Sequence, residues 1–499
     1  MRSKKAILNI ITSLLLQVVV LICGFIVPKL IITKFGSNVN GLISSITQFL
    51  AYITLLEAGF GPVVKAALYK PIASKNKKQI ENILKASEKF FRVIALIFIA
   101  YLIVLSITYP AIVSSQFAYM YTLSLVLIIS ISTLAEYYFG MTYKLYLQAE
   151  QKTYITSIIQ MVGYILNTLA IIVLVKCNAS IQVVKLVSSI IFVLRPIVQN
   201  IYVRKKYNIN LKDADKDYQL KQKWDGLAQH IAAVIHNNTD ITILTFFTQI
   251  TEVSVYSVYY LVVKGIKSII QAFTGGIDAS FGDMIAKGEK EQLNKSFKTY
   301  ELFYYTITTI AYTCTILLIV PFITVYTLGI TDANYIRPVF ATLLVLGEFV
   351  WAIRLPYSSI TLAAGHFKQT QKGAWVEAFS NIIISVILVW KFGIVGVAML
   401  IRTIEFVYHT NKYILERKQS KSLIRFGIIA LQLIAVALLS KLLPTYEFTN
   451  YFIWIKYACM VLVLTIIIVL PVNLIVYRND AKDLLGIVKR NILRKKETN

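Results

Sequence analysis

Ionisable side chains stand inside long apolar runs of this 499-residue chain, and these are the positions where chemistry could occur. In the first half they are Lys29, Glu57, Lys65, Glu136, Lys185 and Arg195; in the second, Asp240, Lys264, Lys267, Glu348, Arg354, Arg402 and Glu405. A charge at the centre of a bilayer costs about 2.5–3.5 kcal/mol on insertion scales, so such groups face a bundle interior or a watery cavity. Arg195 lies in Val-Leu-Arg-Pro-Ile and Arg354 in Trp-Ala-Ile-Arg-Leu-Pro, both deep within their runs. Each is followed within two residues by a proline (Pro196, Pro356) that frees a carbonyl and invites a kink. Tyr256, Tyr260, Lys264, Lys267 and Gln271 recur at steps of four, four, three and four, one polar stripe on an otherwise apolar helix. Arg195, Lys264, Lys267 and Arg354 are therefore expected to line a cavity.

His230, His236, Asn237, Asn238 and Asp240 crowd into eleven residues. Two readings stay open for them: a hydrated or ion-coupling wall with Asp240 and His236, or a plain network of interhelical hydrogen bonds. Glu57, in Leu-Leu-Glu-Ala-Gly-Phe-Gly, is either a coupling carboxylate or a structural residue among small neighbours that permit close helix contact. Lys29, Lys185 and Lys456 lie near the outer boundary and can snorkel. Arg402 and Glu405 stand three apart and can pair on one helix. No histidine or carboxylate set has metal-ligand spacing, so no metal and no cofactor are expected. Walker A and GxSxG patterns are absent, as is an acidic pair in an external loop; no catalytic residue is assigned and the chain is read as a non-enzyme.

The elements that carry these residues follow from composition. Apolar residues make up 57% of the chain and charged ones 15%, against roughly 45–50% and 25% in soluble domains. Mean hydropathy is +0.66, and no stretch of domain length is polar enough to fold in water. A soluble enzyme, a nucleic-acid-binding protein and a secreted disulfide scaffold are thereby excluded. The net charge of +26 does not point to nucleic acid, because the basic residues bunch between apolar runs. Cys23, Cys177, Cys314 and Cys459 are far apart and form no metal or disulfide pattern. The apolar run from Ala6 to Ile32 is too long for a signal-peptide core and reads as a retained first crossing.

At roughly 20 residues per crossing, helical spans are expected at 6–33, 41–69, 92–113, 119–146, 154–175, 181–203, 226–247, 253–281, 300–323, 337–363, 374–391, 394–415, 424–443 and 452–476. With the N-terminus inside, 37 basic residues fall in internal segments and five in external connections, which places both termini in the cytoplasm. External loops are short. Shifting the chain by 213 residues aligns 58–97 with 271–310 at eleven identities, among them Phe60/Phe273, Lys77/Lys290, Lys85/Lys298 and Glu88/Glu301. Each half holds an even number of crossings, so the repeat is parallel, as in transporters whose two bundles rock about a site. The fold expected is an all-α polytopic membrane protein of about fourteen transmembrane helices. It divides into a six-helix lobe (1–203), a cytoplasmic linker (204–224), a second six-helix lobe (225–415), and a trailing pair with a basic tail (416–499). Amphipathic stretches at 75–92 and 477–499 are expected on the inner membrane surface.

Phe-Gly-Ser-Asn-Val-Asn-Gly-Leu at 35–42, Leu-Leu-Glu-Ala-Gly-Phe-Gly-Pro at 55–62 and the following Ile-Ala-Ser-Lys-Asn-Lys-Lys-Gln-Ile resemble the polysaccharide exporters. These Wzx-like lipid-linked oligosaccharide flippases share a superfamily with multidrug and toxin extruders and lipid II flippases. The resemblance implies a MATE-like fold in a bacterial cytoplasmic membrane. It also implies transfer of polyprenyl-diphosphate-linked oligosaccharide units by alternating access, for surface polysaccharide such as capsule or exopolysaccharide. Partners would be the lipid-linked glycan, membrane lipid and polysaccharide-assembly proteins, without nucleic acid. On this reading Arg195, Lys264, Lys267 and Arg354 grip the anionic diphosphate, with Asp240, His236 or Glu57 as coupling groups. The alternatives are a multidrug antiporter of the same superfamily, which would favour an acidic or neutral cavity, and a membrane-embedded polysaccharide polymerase, which needs catalytic groups on the outer face.

Overall fold

The computed structural model describes residues 2–57, 59–211, 239–272, 277–366 and 398–484, with isolated positions between and beyond them. Among the described residues every regular element is a helix, and eleven helices are long and apolar enough to cross a membrane. The chain is a multi-span membrane protein. Of the three further expected crossings, 226–247 and 374–391 lie in large part outside the described residues, and 394–415 is represented by the 16-residue helix Ala398–Tyr413.

Two compact units divide the chain, Met1–Ser257 and Val258–Asn499. The first contains α1 (Arg2–Phe35), α2 (Ser37–Ala51), α3 (Thr54–Glu57), α4 (Phe60–Ala73), α5 (Lys77–Ile112) and α6 (Tyr119–Ala135). A π-helical turn, Glu136–Gly140, leads into α7 (Met141–Ala149), followed by α8 (Thr153–Lys176) and α9 (Ile181–Tyr207). In this unit α1 packs on α8, α8 on α9, α9 on α6, α6 on α5, and α4 on both α5 and α7. Helix α10 (Ile250–Ala272) contains the division between the units. Its start, with residues 239–247, packs on α2: Asn40 Nδ2 donates to Ser254 Oγ at 2.8 Å, and the Ser45 and Thr245 hydroxyls meet at 2.7 Å. Gly41 permits this approach, since a Cβ there would stand 2.0 Å from the Ile250 carbonyl oxygen.

In the second unit follow α11 (Ile277–Ala286), α12 (Lys290–Tyr326), α13 (Pro338–Ala363), α14 (Ala398–Tyr413), α15 (Ser420–Leu439) and α16 (Tyr451–Val476). Helix α13 packs on α11, α12 and α14, while α15 and α16 pack on each other and on α12. Exposed large apolar side chains run along α1, α5 and α16, among them Leu14, Ile22, Leu96, Ile107, Phe452 and Ile467. Such surfaces suit lipid, which is as apolar as these side chains.

Two expectations require correction. The second crossing is not one helix over 41–69: it breaks between Tyr52 and Gly59 into α2, α3 and α4, with Gly59 at φ 77°. Broken backbone at membrane depth is tolerated where it lines a protein-walled cavity, and that is where this break falls. Nor is 75–92 a separate surface segment. Lys77–Ile112 is a single 36-residue helix, about 54 Å long at 1.5 Å per residue and so well beyond the hydrocarbon core.

The sequence repeat reappears as geometry. Helices α4 and α11 end at Ala73 and Ala286, and α5 and α12 begin at Lys77 and Lys290, each pair 213 residues apart. The turns between them place Lys75 and Gly288 at positive φ, again at the same offset. Each unit also buries a repeated glutamate that ties its helices together. Glu88 of α5 receives Arg92 at 3.0 Å and Arg204 of α9 at 3.2 Å, and Arg204 Nε donates to the Tyr143 hydroxyl of α7 at 2.7 Å. Glu301 of α12 receives Arg417 at 3.1 Å and Arg425 of α15 at 2.7 Å, and accepts a hydrogen bond from Tyr357 of α13. Arg204 and Arg417 are themselves 213 positions apart.

Candidate functional site

A cavity of about 450 Å³ opens inside the first unit, within the range of small-molecule sites. Its walls come from the broken second crossing (Thr47, Thr54, Glu57), the π-helical turn (Glu136, Tyr137), α7 (Lys144), α8 (Gln160, Tyr164) and α9 (Arg195, Gln199). Three local features build it. The break after Ala51 turns Glu57 into the cavity. At the π-helical turn an extra residue is accommodated, a feature frequent at functional sites. Finally, Pro196 interrupts the amide ladder of α9 beside Gly140, where a Cβ would come within 2.7 Å of the Pro196 ring.

Arg195 is the cation of this cavity that the sequence singled out. Its guanidinium lies over the rings of Phe192 (4.2 Å) and Tyr164 (5.4 Å), and the bare Cα of Gly163 makes room for its stem. The Arg195 Nε is buried and donates to no acceptor among the described residues. A buried unmade hydrogen bond costs roughly 1–3 kcal/mol, more for a charged group, and an oxyanion placed there would recover it. Of the two carboxylates, Glu136 faces Lys144 at 3.6 Å, whereas Glu57 accepts a long hydrogen bond from Tyr137 at 3.4 Å. The aromatic platform, the unfilled donor and two acidic groups could hold an anion near Arg195 and a proton or cation near Glu57.

The other expected residues fall elsewhere. Asp240 belongs to the first unit, where it accepts from Tyr256 at 2.7 Å, so the upper end of the polar stripe serves a hydrogen-bond network. Lys264, Lys267 and Arg354 belong to the second unit. Lys267 is buried, 2.9 Å from Glu348 of α13 and 4.0 Å from the centre of the Trp351 ring. The ion pair brings opposite charges together within the helix bundle. Lys264 is exposed and Arg354 is buried at 9% exposure. His236, with His230, Asn237 and Asn238, lies outside the described residues, as does the side chain of Arg402. No metal-binding group of three ligands occurs among the described residues.

Sequence reasoning missed Lys144, Gln160, Tyr164 and Gln199, polar residues of modest type whose convergence depends on tertiary packing. It also missed what Glu88 and Glu301 hold, although their identity across the repeat was a usable signal.

Solved structures of similar shape were found. A structure of the lipid II flippase MurJ in an inward closed conformation superposes with a TM-score of 0.67 at 16% identity, covering 95% of this chain and 99% of that one. An inward-facing multidrug resistance MATE family transporter of the MOP superfamily gives 0.58 at 14% identity, covering 81% and 98%. The MATE multidrug transporter DinF-BH, solved as a complex, gives 0.59 at 13%, covering 84% and 96%. At these identities the likeness establishes a shared fold. No known family profile matches the chain, and no curated protein matches it.

Proposed function

We propose that the protein is a flippase of the MOP-superfamily fold. It would carry polyprenyl-diphosphate-linked oligosaccharide units across a bacterial cytoplasmic membrane for surface polysaccharide assembly. The observation that carries this reading is Arg195, a guanidinium set on two aromatic rings in a polar cavity with its Nε unsatisfied. Arginine offers a fork to two phosphate oxygens, and low dielectric strengthens that attraction. The fold shared with a lipid II flippase supports the substrate class. Lys264, Lys267 and Arg354 are the second unit's own candidate cations for an anionic substrate, with Lys267 paired to Glu348. Glu57, at the break in the second crossing, is the coupling carboxylate, with Asp240 a second candidate.

A multidrug antiporter is the reading to be tested against, because Glu57 and Glu136 would also receive an organic cation. Deletion separates the two. A flippase deletion abolishes surface polysaccharide and leaves drug sensitivity unchanged, whereas an antiporter deletion does the reverse. Within the flippase reading, Arg195→Ala and Arg354→Ala abolish export at normal protein abundance, and Lys at either site rescues only in part. Normal export by both Ala variants would overturn the assignment.

A further inference from the structure

The two glutamate clusters differ in charge balance. In the second unit Glu301 and Asp480 face Arg417 and Arg425, with Asp480 at 3.0 Å from Arg425, so two anions meet two cations. Arg425 comes from α15, which with α16 covers that side of α12. In the first unit Glu88 alone meets Arg92 at 3.0 Å, Arg204 at 3.2 Å and Lys85 at 4.0 Å. Among the described residues none of these three cations has a second carboxylate. The Arg92 Nε is buried and donates to no acceptor there, and its guanidinium lies 5.2 Å from the centre of the Tyr138 ring. At the repeat offset Arg92 corresponds to Tyr305, a buried residue on α12 beside Phe426 of α15. The covering helices, and Asp480 just beyond the end of α16, thus have no described counterpart around α5.

What borders the first cluster is an exposed apolar face. Val93, Leu96 and Ile97 of α5, Phe139 of the π-helical turn, and Val198 and Ile201 of α9 are all exposed. They continue α5 and α9 from Arg92 and Arg204 toward the membrane interior, while the arginines sit at the cytoplasmic end by the positive-inside rule. The side chains of Arg92 and Arg204 are 43% and 45% exposed, open to a ligand rather than sealed.

We propose that Lys85, Arg92 and Arg204 bind the phosphate of an anionic phospholipid of the inner leaflet, whose acyl chains lie on this apolar face. The lipid supplies the anion that Asp480 supplies in the second unit, and its tails take the place of α15 and α16. Basic pockets between transmembrane helices on the cytoplasmic side are suited to such headgroups.

The test uses the purified full-length protein in neutral detergent, titrated with phosphatidylglycerol, phosphatidylcholine or inorganic phosphate and read by native mass spectrometry and thermal melting. Phosphatidylglycerol is expected to bind more tightly than phosphatidylcholine and to raise the melting temperature, with no such rise from phosphate. Arg92→Gln leaves Arg204 to hold Glu88 and Tyr143, and is expected to weaken phosphatidylglycerol binding about fivefold, the effect of one cation near a membrane surface. Lys85→Gln, at the half-buried flank of the cluster, shifts binding in the same direction and serves if Arg92→Gln does not accumulate. Equal binding of the two lipids, or unchanged phosphatidylglycerol binding in both variants, would overturn the proposal. So would an equal rise with inorganic phosphate, which would make this a free-anion site.

Discussion

Replacing Glu301 by Gln tests how the second unit is held, and the repeat provides its own control in Glu88→Gln. The Glu301 side chain is 2% exposed and accepts from Arg417 at 3.1 Å to each oxygen, from Arg425 at 2.7 Å, and from Tyr357. Its removal leaves Arg417 buried without a carboxylate and Arg425 with Asp480 alone. Stranding one partner of a buried pair costs about 3–5 kcal/mol. Glu88 is also buried, but its arginines are nearly half exposed and can be rehydrated, so each broken pair is worth about 1 kcal/mol or less. Two repeat-related substitutions should therefore differ by roughly 2–3 kcal/mol, or about 30- to 150-fold in folded population. The assay is denaturation of purified variants in mixed micelles, with abundance in the membrane as a second reading. Equal destabilisation by the two substitutions, or a loss below about 1 kcal/mol for Glu301→Gln, would refute the reasoning.

Further outcomes follow from single distances. Gly163→Ala places a Cβ 2.6 Å from Cδ of Arg195; because that stem is flexible, the fold should survive while export falls about tenfold, the effect of about 1.4 kcal/mol at the site. Gly41→Ala meets the Ile250 carbonyl oxygen at 2.0 Å, a backbone atom that cannot yield cheaply, and should lose about 1–3 kcal/mol of stability by the same denaturation assay. Lys267→Ala strands a buried Glu348 and should lower abundance, whereas Lys267→Ala with Glu348→Ala should restore it; failure of the double variant to recover would show that the pair is not the cause.

Helix class and most crossings were legible because lipid forces backbone groups to pair within a segment, leaving long apolar runs one interpretation. The 213-residue repeat was legible from identities such as Lys77/Lys290, and both helix starts fall on that pair. The break at 52–59 was not, since Leu-Leu-Glu-Ala-Gly-Phe-Gly remains apolar enough to read as continuous helix and only Gly59 marks the turn. Arg195 stood out because depth alone makes a charge conspicuous. Its surroundings did not, because Gly163, Tyr164 and Phe192 read as ordinary bundle residues until α8 and α9 bring them together. Lys267 shows the opposite limit: depth marked it, but its pairing with Glu348, 81 positions away, is a tertiary fact. Arg204 and Arg417 hid among the basic residues that orient the chain, although each reaches a buried glutamate.

The central claim is movement of a diphosphate-linked lipid, and reconstitution into vesicles tests it most directly. Polyprenyl-diphosphate-linked oligosaccharide would be placed in one leaflet and its arrival in the other timed, for the intact protein and for Arg195→Ala. The account predicts rapid transfer by the intact protein and transfer at the protein-free rate by the variant, with little movement of a lipophilic cationic dye in either. Transfer of the dye without the diphosphate lipid, or unaltered lipid transfer by Arg195→Ala, would contradict it.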